Sequence, residues 1–139
     1  MNTIRKPSAR TADKNNNLEN WLSLRHVPGL GPATFVTLLD TFGSVESILE
    51  SSKKQLSQLP IKRDVIDTLL EPCSPQIKKQ IQTDLEWQQH EEHHIITFFD
   101  DRYPETLKRL NDAPPLLYVR GDPDYLKQPQ LAMVGSRNP

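Results

Sequence analysis

The chain has 139 residues, room for one domain or for a small domain and part of a second. Only 35% of them are hydrophobic and 25% are charged, a lean supply for a compact core. A net charge of −1 gives no bulk attraction to nucleic acid, so any such site must be a local patch.

The single cysteine, Cys73, excludes an intramolecular disulfide and a cysteine-rich metal site; it reads as a loop or part-buried thiol in a reducing cytosol. No apolar run is long enough to span a membrane. Residues 1–16 carry cations but no apolar stretch behind them, so they read as a mildly basic, disordered tail rather than a secretory signal.

From Asn17 a helical period begins, with Leu18, Trp21, Leu22 and Arg25 on one face. It breaks at Val27-Pro28-Gly29-Leu30-Gly31-Pro32. Phe35, Leu38, Leu39 and Phe42 mark a second helix, and Gly43 is placed to close it. Ser44 is a fitting N-cap for a short helix with Val45, Ile48 and Leu49. Ser52 to Gln55 has capping-box spacing and opens another, with Leu56 and Leu59 inward. Lys62 to Leu70 follows, burying Val65, Ile66, Leu69 and Leu70. Ser74-Pro75 reads as N-cap and first helical residue of a longer helix, with Ile77, Ile81 and Leu85 in line, ending near His93.

At Ile95 the period turns strand-like. Ile95–Phe99, Leu116–Val119 and Gln130–Val134 are expected strands, separated by turns at Asp100–Pro104 and Pro114-Pro115. A helical turn carries Leu107 and Leu110, and a brief one is capped by Asp122-Pro123. The expected architecture is therefore α + α/β: all-helical over residues 17–94, then α/β over 95–139. A faint echo of the first hairpin falls at Leu59-Pro60-Ile61.

Two stretches carry candidate chemistry. The Gly29-Leu30-Gly31 turn between amphipathic helices is a helix-hairpin-helix pattern. Its backbone N–H groups, beside a helix N-terminus, can meet one DNA phosphate without reading sequence. The DNA reading favours a cation early in the second helix. The residues there are Ala33, Thr34, Phe35, Val36 and Thr37, and Arg25 and His26 are the nearby cations. A plain αα-hairpin that binds nothing is the simpler alternative. The second stretch, Leu131 to Pro139, is an apolar run emptying into Gly135-Ser136-Arg137. This is where an α/β fold holds phosphate on loop N–H groups, and Arg137 adds a planar cation.

Other features fit structural roles. Lys53-Lys54 and Lys62-Arg63 read as solvated helix faces, the second pair offset by Asp64 and Asp67. His90-Glu91-Glu92-His93-His94 spells H-E-x-x-H, but at a helix end and without an obvious third ligand; it reads as a polar helix terminus and no metal is expected. The aspartates Asp100, Asp101, Asp112, Asp122 and Asp124 sit in turns, and no pair is placed for acid–base catalysis.

Three ordered stretches, LRHVPGLGPATFVTLLDTFGSVESIL, FFDDRYPETLKRLNDAPPLLYVRGD and LAMVGSRNP, together resemble the DprA/Smf family, the DNA-processing proteins of natural transformation. The resemblance implies a SAM-like helix-hairpin-helix domain joined to an extended Rossmann-like domain, here only its beginning. It implies a cytoplasmic, non-catalytic protein without cofactor that binds incoming single-stranded DNA, loads the RecA recombinase and forms a homodimer when whole. Gly135, Ser136 and Arg137 match the start of the family's DNA-contacting loop. The chain is expected to be the N-terminal piece of such a protein. Parallel strands need cover on both faces, so residues beyond about 95 are expected to be the less protected half. A protein-binding adaptor and a nucleotide-hydrolysing Rossmann enzyme are the alternatives.

Overall fold

The computed structural model describes residues 17–137. The tail expected over residues 1–16 lies outside them. Helix α1 occupies residues 17–25 and buries Leu18, Trp21, Leu22 and Leu24. Leu24, not Arg25, completes its inner face. Arg25 stays exposed because its guanidinium has a partner at the rim rather than in the core.

The turn that follows depends on Gly29, whose φ of +80° is left-handed. Leu30 then packs inward against the core. Helix α2 (Pro32–Phe42) starts with proline at its first turn, buries Phe35, Leu38 and Leu39, and is closed by the left-handed Gly43, whose N–H donates to the Leu39 carbonyl at 2.8 Å. The Ser44 hydroxyl accepts from the Ser47 N–H and starts α3 (Val45–Leu49). Ser52 and Gln55 form the reciprocal capping box of α4 (Lys53–Ser57).

The turn through Leu59-Pro60-Ile61 leads into α5 (Arg63–Leu70), giving a second helical hairpin. Val65, Ile66 and Leu69 are buried, while Leu70 faces solvent. Asp67 pairs with Lys53 at 3.0 Å rather than with the Lys62-Arg63 pair. The pair is exposed, so its contribution is small.

Helix α6 (Pro75–Gln88) opens with Ser74 accepting from the Ile77 N–H. It ends five residues before the sequence period suggested. Gln89 caps it, and His90–Glu92 turn the chain into strand β1 (His93–Thr97). Its apolar residues are half-buried: Ile81, Leu85 and Trp87 lie against the edge of the core.

Strand β1 begins two residues earlier than expected because its partner sets the register. Strand β2 (Leu116–Arg120) runs antiparallel to it, pairing His93 with Arg120 and Thr97 with Leu116. The two strands are therefore a ladder joined by a loop containing α7 (Glu105–Lys108), not the parallel pair expected. The Phe98 N–H makes a last cross-strand bond to the Pro115 carbonyl at 2.9 Å, and a turn in which the Asp100 N–H donates to the Thr97 carbonyl at 2.9 Å then takes Phe99 away from the strand. Ile95 and Ile96 alternate in direction yet both are buried, so this strand is covered on both faces.

Ile95 and Leu116 belong to the same apolar cluster as the residues of α1–α5. Protection thus does not fall away at residue 95. It falls away after the 3₁₀ helix Pro123–Lys127. The third strand expected at Gln130–Val134 is irregular chain, with Leu131, Met133 and Val134 between 87% and 99% exposed. A strand needs a neighbour to complete its hydrogen bonds, and among the described residues the sheet has two strands.

Tyr103 is the bolt of the β1–β2 connection. It is 1% exposed, and its hydroxyl donates to the Pro114 carbonyl at 2.6 Å. Burial pushes its phenol above the usual range.

Two outcomes are expected. Gly29→Ala forces a Cβ into left-handed backbone and places it 3.1 Å from Val65 Cγ2; chemical denaturation is expected to show a loss of about 1–2 kcal/mol. Tyr103→Phe leaves the Pro114 carbonyl without its donor and is expected to cost about 1 kcal/mol. Because the folded phenol titrates above its unfolded value near 10, its contribution is intact below that pH and is lost as pH rises through the folded value. Denaturation midpoints between pH 8 and 11 should therefore fall more steeply for the wild-type chain than for Tyr103→Phe.

Candidate nucleic-acid interface

The hairpin presents Gly29, Pro28, Gly31 and Pro32 to solvent while Leu30 holds it to the core. Gly31 is the N-cap of α2 and has no side chain to satisfy the helix's first N–H groups; no side-chain cap is formed there. Those donors, with the positive end of an 11-residue helix, are free to be oriented at an anion. Helix α2 contains no Lys or Arg.

Behind the hairpin lies a network that local sequence patterns did not reveal. His26 Nε2 lies 2.6 Å from Asp84 Oδ2 on α6. The Tyr118 hydroxyl on β2 donates to the same oxygen at 3.0 Å. Arg25 Nε donates to the Tyr118 hydroxyl at 3.1 Å, and the guanidinium lies 5.2 Å from the centre of that ring. Tyr118 also meets Trp87 edge-on at 5.5 Å, and Trp87 stacks on His93 at 4.2 Å. Burial, the largest influence, pushes the Tyr118 phenol above its usual range, against the hydrogen bond from Arg25, which lowers it. The partners are 58 and 93 residues apart in sequence, so no spacing rule could have found them.

Gly135, Ser136 and Arg137 lie on the exposed irregular segment after the 3₁₀ helix. They and the Gly29–Gly31 turn are carried by different elements. The segment is anchored at its root by Gln130, whose side-chain amide donates to the Tyr125 and Gln128 carbonyls.

The H-E-x-x-H residues do not form a metal site. His90 is in the turn after α6, and His93, not His94, meets it, with ring centres 4.8 Å apart. His93 Nδ1 is engaged by the Trp87 carbonyl at 2.8 Å. Among the described residues no cluster of three His, Cys, Asp or Glu is placed for a metal ion. The turn aspartates are structural too: Asp100 holds Arg102 in a two-pronged ion pair, and Asp122 caps the 3₁₀ helix. The hydrogen bond from Arg102 to Asp100 raises the guanidinium's pKa, keeping it charged. An open depression between α7 and the 3₁₀ helix, lined by Asp101, Glu105, Lys127 and Gln130, mixes charges and selects no one ligand class.

Two family models match the chain in order. Residues 22–60, from the last turns of α1 through α4 to Pro60, match the SAM-like helix-hairpin-helix tandem. Residues 94–139 match DNA recombination-mediator protein A. Among curated relatives, the chain is similar to DNA processing protein DprA of Streptococcus pneumoniae, 49% identical over 42 residues. That stretch covers 30% of this chain and 15% of the relative. It is also similar to protein Smf of Escherichia coli, 38% identical over 60 residues, covering 43% of this chain and 16% of the relative. The matched stretches thus span about one-sixth of the relatives' length. Over these short stretches the chain is similar to proteins of the DprA/Smf family.

Proposed function

We propose that the chain is the N-terminal, nucleic-acid-binding part of a DNA-processing protein that holds single-stranded DNA by its backbone. The observation that carries this reading is the exposed Gly135-Ser136-Arg137 segment, which lies inside the stretch matching DNA recombination-mediator protein A. Backbone N–H groups at Gly135 and Ser136 and the fork of Arg137 suit phosphate oxygens and leave the bases unread. The uncapped start of α2 at Gly31 supplies a second, weaker contact at Gly29–Gly31.

In this reading residues 17–94 form the SAM-like unit and residues 95–139 begin an extended Rossmann-like one. The apolar run Leu131–Val134 becomes a strand once a neighbouring strand covers it. The role is binding rather than catalysis: two of the turn aspartates, Asp100 and Asp122, are engaged in an ion pair and a cap. Delivery of the bound strand to RecA, and pairing with a second copy, belong to the whole protein. No helix among the described residues is long and apolar enough to cross a membrane.

Arg137→Ala tests this. Fluorescence anisotropy of a labelled single-stranded oligonucleotide across a salt series is expected to show weaker binding. The slope of log affinity against log salt should be shallower by about 0.7, the contribution of one phosphate on a single strand. An unchanged slope contradicts the assignment.

A further inference from the structure

Arg25 and His26 immediately precede the Val27–Pro32 turn, and α2 brings no cation of its own. Affinity for a polyanion grows with the number of phosphates contacted and neutralised, so a hairpin that grips DNA has to draw on these two residues. Both are already engaged. His26 meets Asp84 Oδ2 at 2.6 Å, and the same oxygen accepts from Tyr118. Arg25 is held on Tyr118 by a hydrogen bond and by its position over the ring. The side chains of His26 and Asp84 are 18% and 19% exposed, so the contact is sheltered but not sealed from solvent.

The arrangement is that of an anion site with an anion in it. A carboxylate oxygen sits on an imidazole N–H and a hydroxyl, with a guanidinium one hydrogen bond further out. A phosphate oxygen asks for the same donors. The guanidinium rests on a neutral phenol rather than a carboxylate, so its charge is positioned but not cancelled by that hydrogen bond.

We propose that Arg25 and His26 are the phosphate-contacting side chains of the hairpin, and that Asp84, a carboxylate of the chain itself, occupies them until a nucleic-acid phosphate takes its place. The proposal rests on the reading that the hairpin meets a DNA backbone. It carries a linkage: binding DNA at the turn frees the Arg25 and His26 side chains from Tyr118 and Asp84, and weakening the hold of Asp84 or Tyr118 tightens DNA binding in turn.

The test is the salt-dependent anisotropy titration of the full chain with single-stranded DNA, with folding of each variant checked by circular dichroism. Tyr118→Phe changes no charge but removes the hydroxyl joining Arg25 to Asp84. It is expected to tighten binding severalfold and steepen the salt slope by about 0.7, the contribution of the one guanidinium released. Arg25→Ala added to Tyr118→Phe is expected to abolish that gain. Asp84→Asn is expected to tighten binding more than Glu86→Gln, which removes one charge from the same helix outside the network. If Tyr118→Phe leaves affinity and slope unchanged, or Asp84→Asn does no more than Glu86→Gln, the proposal is overturned. Should those variants be silent while Arg137→Ala still lowers the slope, only the hairpin assignment fails. Absence of binding by the wild-type chain and by every variant overturns both readings.

Discussion

Trp21 is where the helices and the strands are held together. Its ring stacks on Phe35 of α2 at 5.6 Å and meets Phe99, just beyond β1, edge-on at 5.7 Å. It is 2% exposed. A tryptophan in such a place contributes on the order of 3–5 kcal/mol, judged by what truncation costs in comparable cores. That is a large share of a small domain's net stability. Around it, Leu22, Leu38, Leu39, Ile48 and Leu56 are fully buried, and Ile95 and Leu116 bring the strands into the same cluster. With only 35% hydrophobic residues, the chain gathers its apolar groups into one seam shared by both halves.

That seam determines what the surface can offer. Because α1 is fixed by Trp21 and Leu22, the turn after it is presented at a set angle, and Leu30 ties it down. Gly29 allows the bend, and Gly31 leaves the next helix without a side-chain cap. Rigid support with unsatisfied N–H groups at the tip is what a sequence-independent phosphate contact requires. The Asp84–Tyr118 network lies at the rim of the same seam, joining the end of α1 to α6 and β2 through polar groups. The Gly135–Arg137 segment is the opposite case, with no packed apolar residue to fix it.

What the amino acids disclosed beforehand was what local chemistry decides. The caps at Ser44, Ser52 and Ser74, the left-handed stop at Gly43 and the inward faces of α2 and α5 all depend on neighbours within four residues. What escaped depends on distant partners. Leu24 replaced Arg25 in the core because Tyr118, 93 residues away, gives Arg25 a place outside it. The end of α6 came early because β2 captures the chain at His93. The run Leu131–Val134 has strand composition, yet composition cannot supply the neighbour that makes a strand. Of the candidate site, the hairpin was visible as Gly-Leu-Gly between two periodic stretches. Its link to Asp84 was not, since an aspartate in mid-helix looks like any solvated residue.

The central claim is that this chain meets the backbone of single-stranded DNA at Gly29–Ala33 and at Gly135–Arg137, over a core that does not move. The most direct measurement is backbone amide mapping by nuclear magnetic resonance during titration with a short single-stranded oligonucleotide. The account predicts salt-sensitive shifts concentrated at those two stretches, with the Trp21 indole and the Ile95–Thr97 amides unmoved. Shifts that avoid both stretches, or that spread through the Trp21 core, would contradict it.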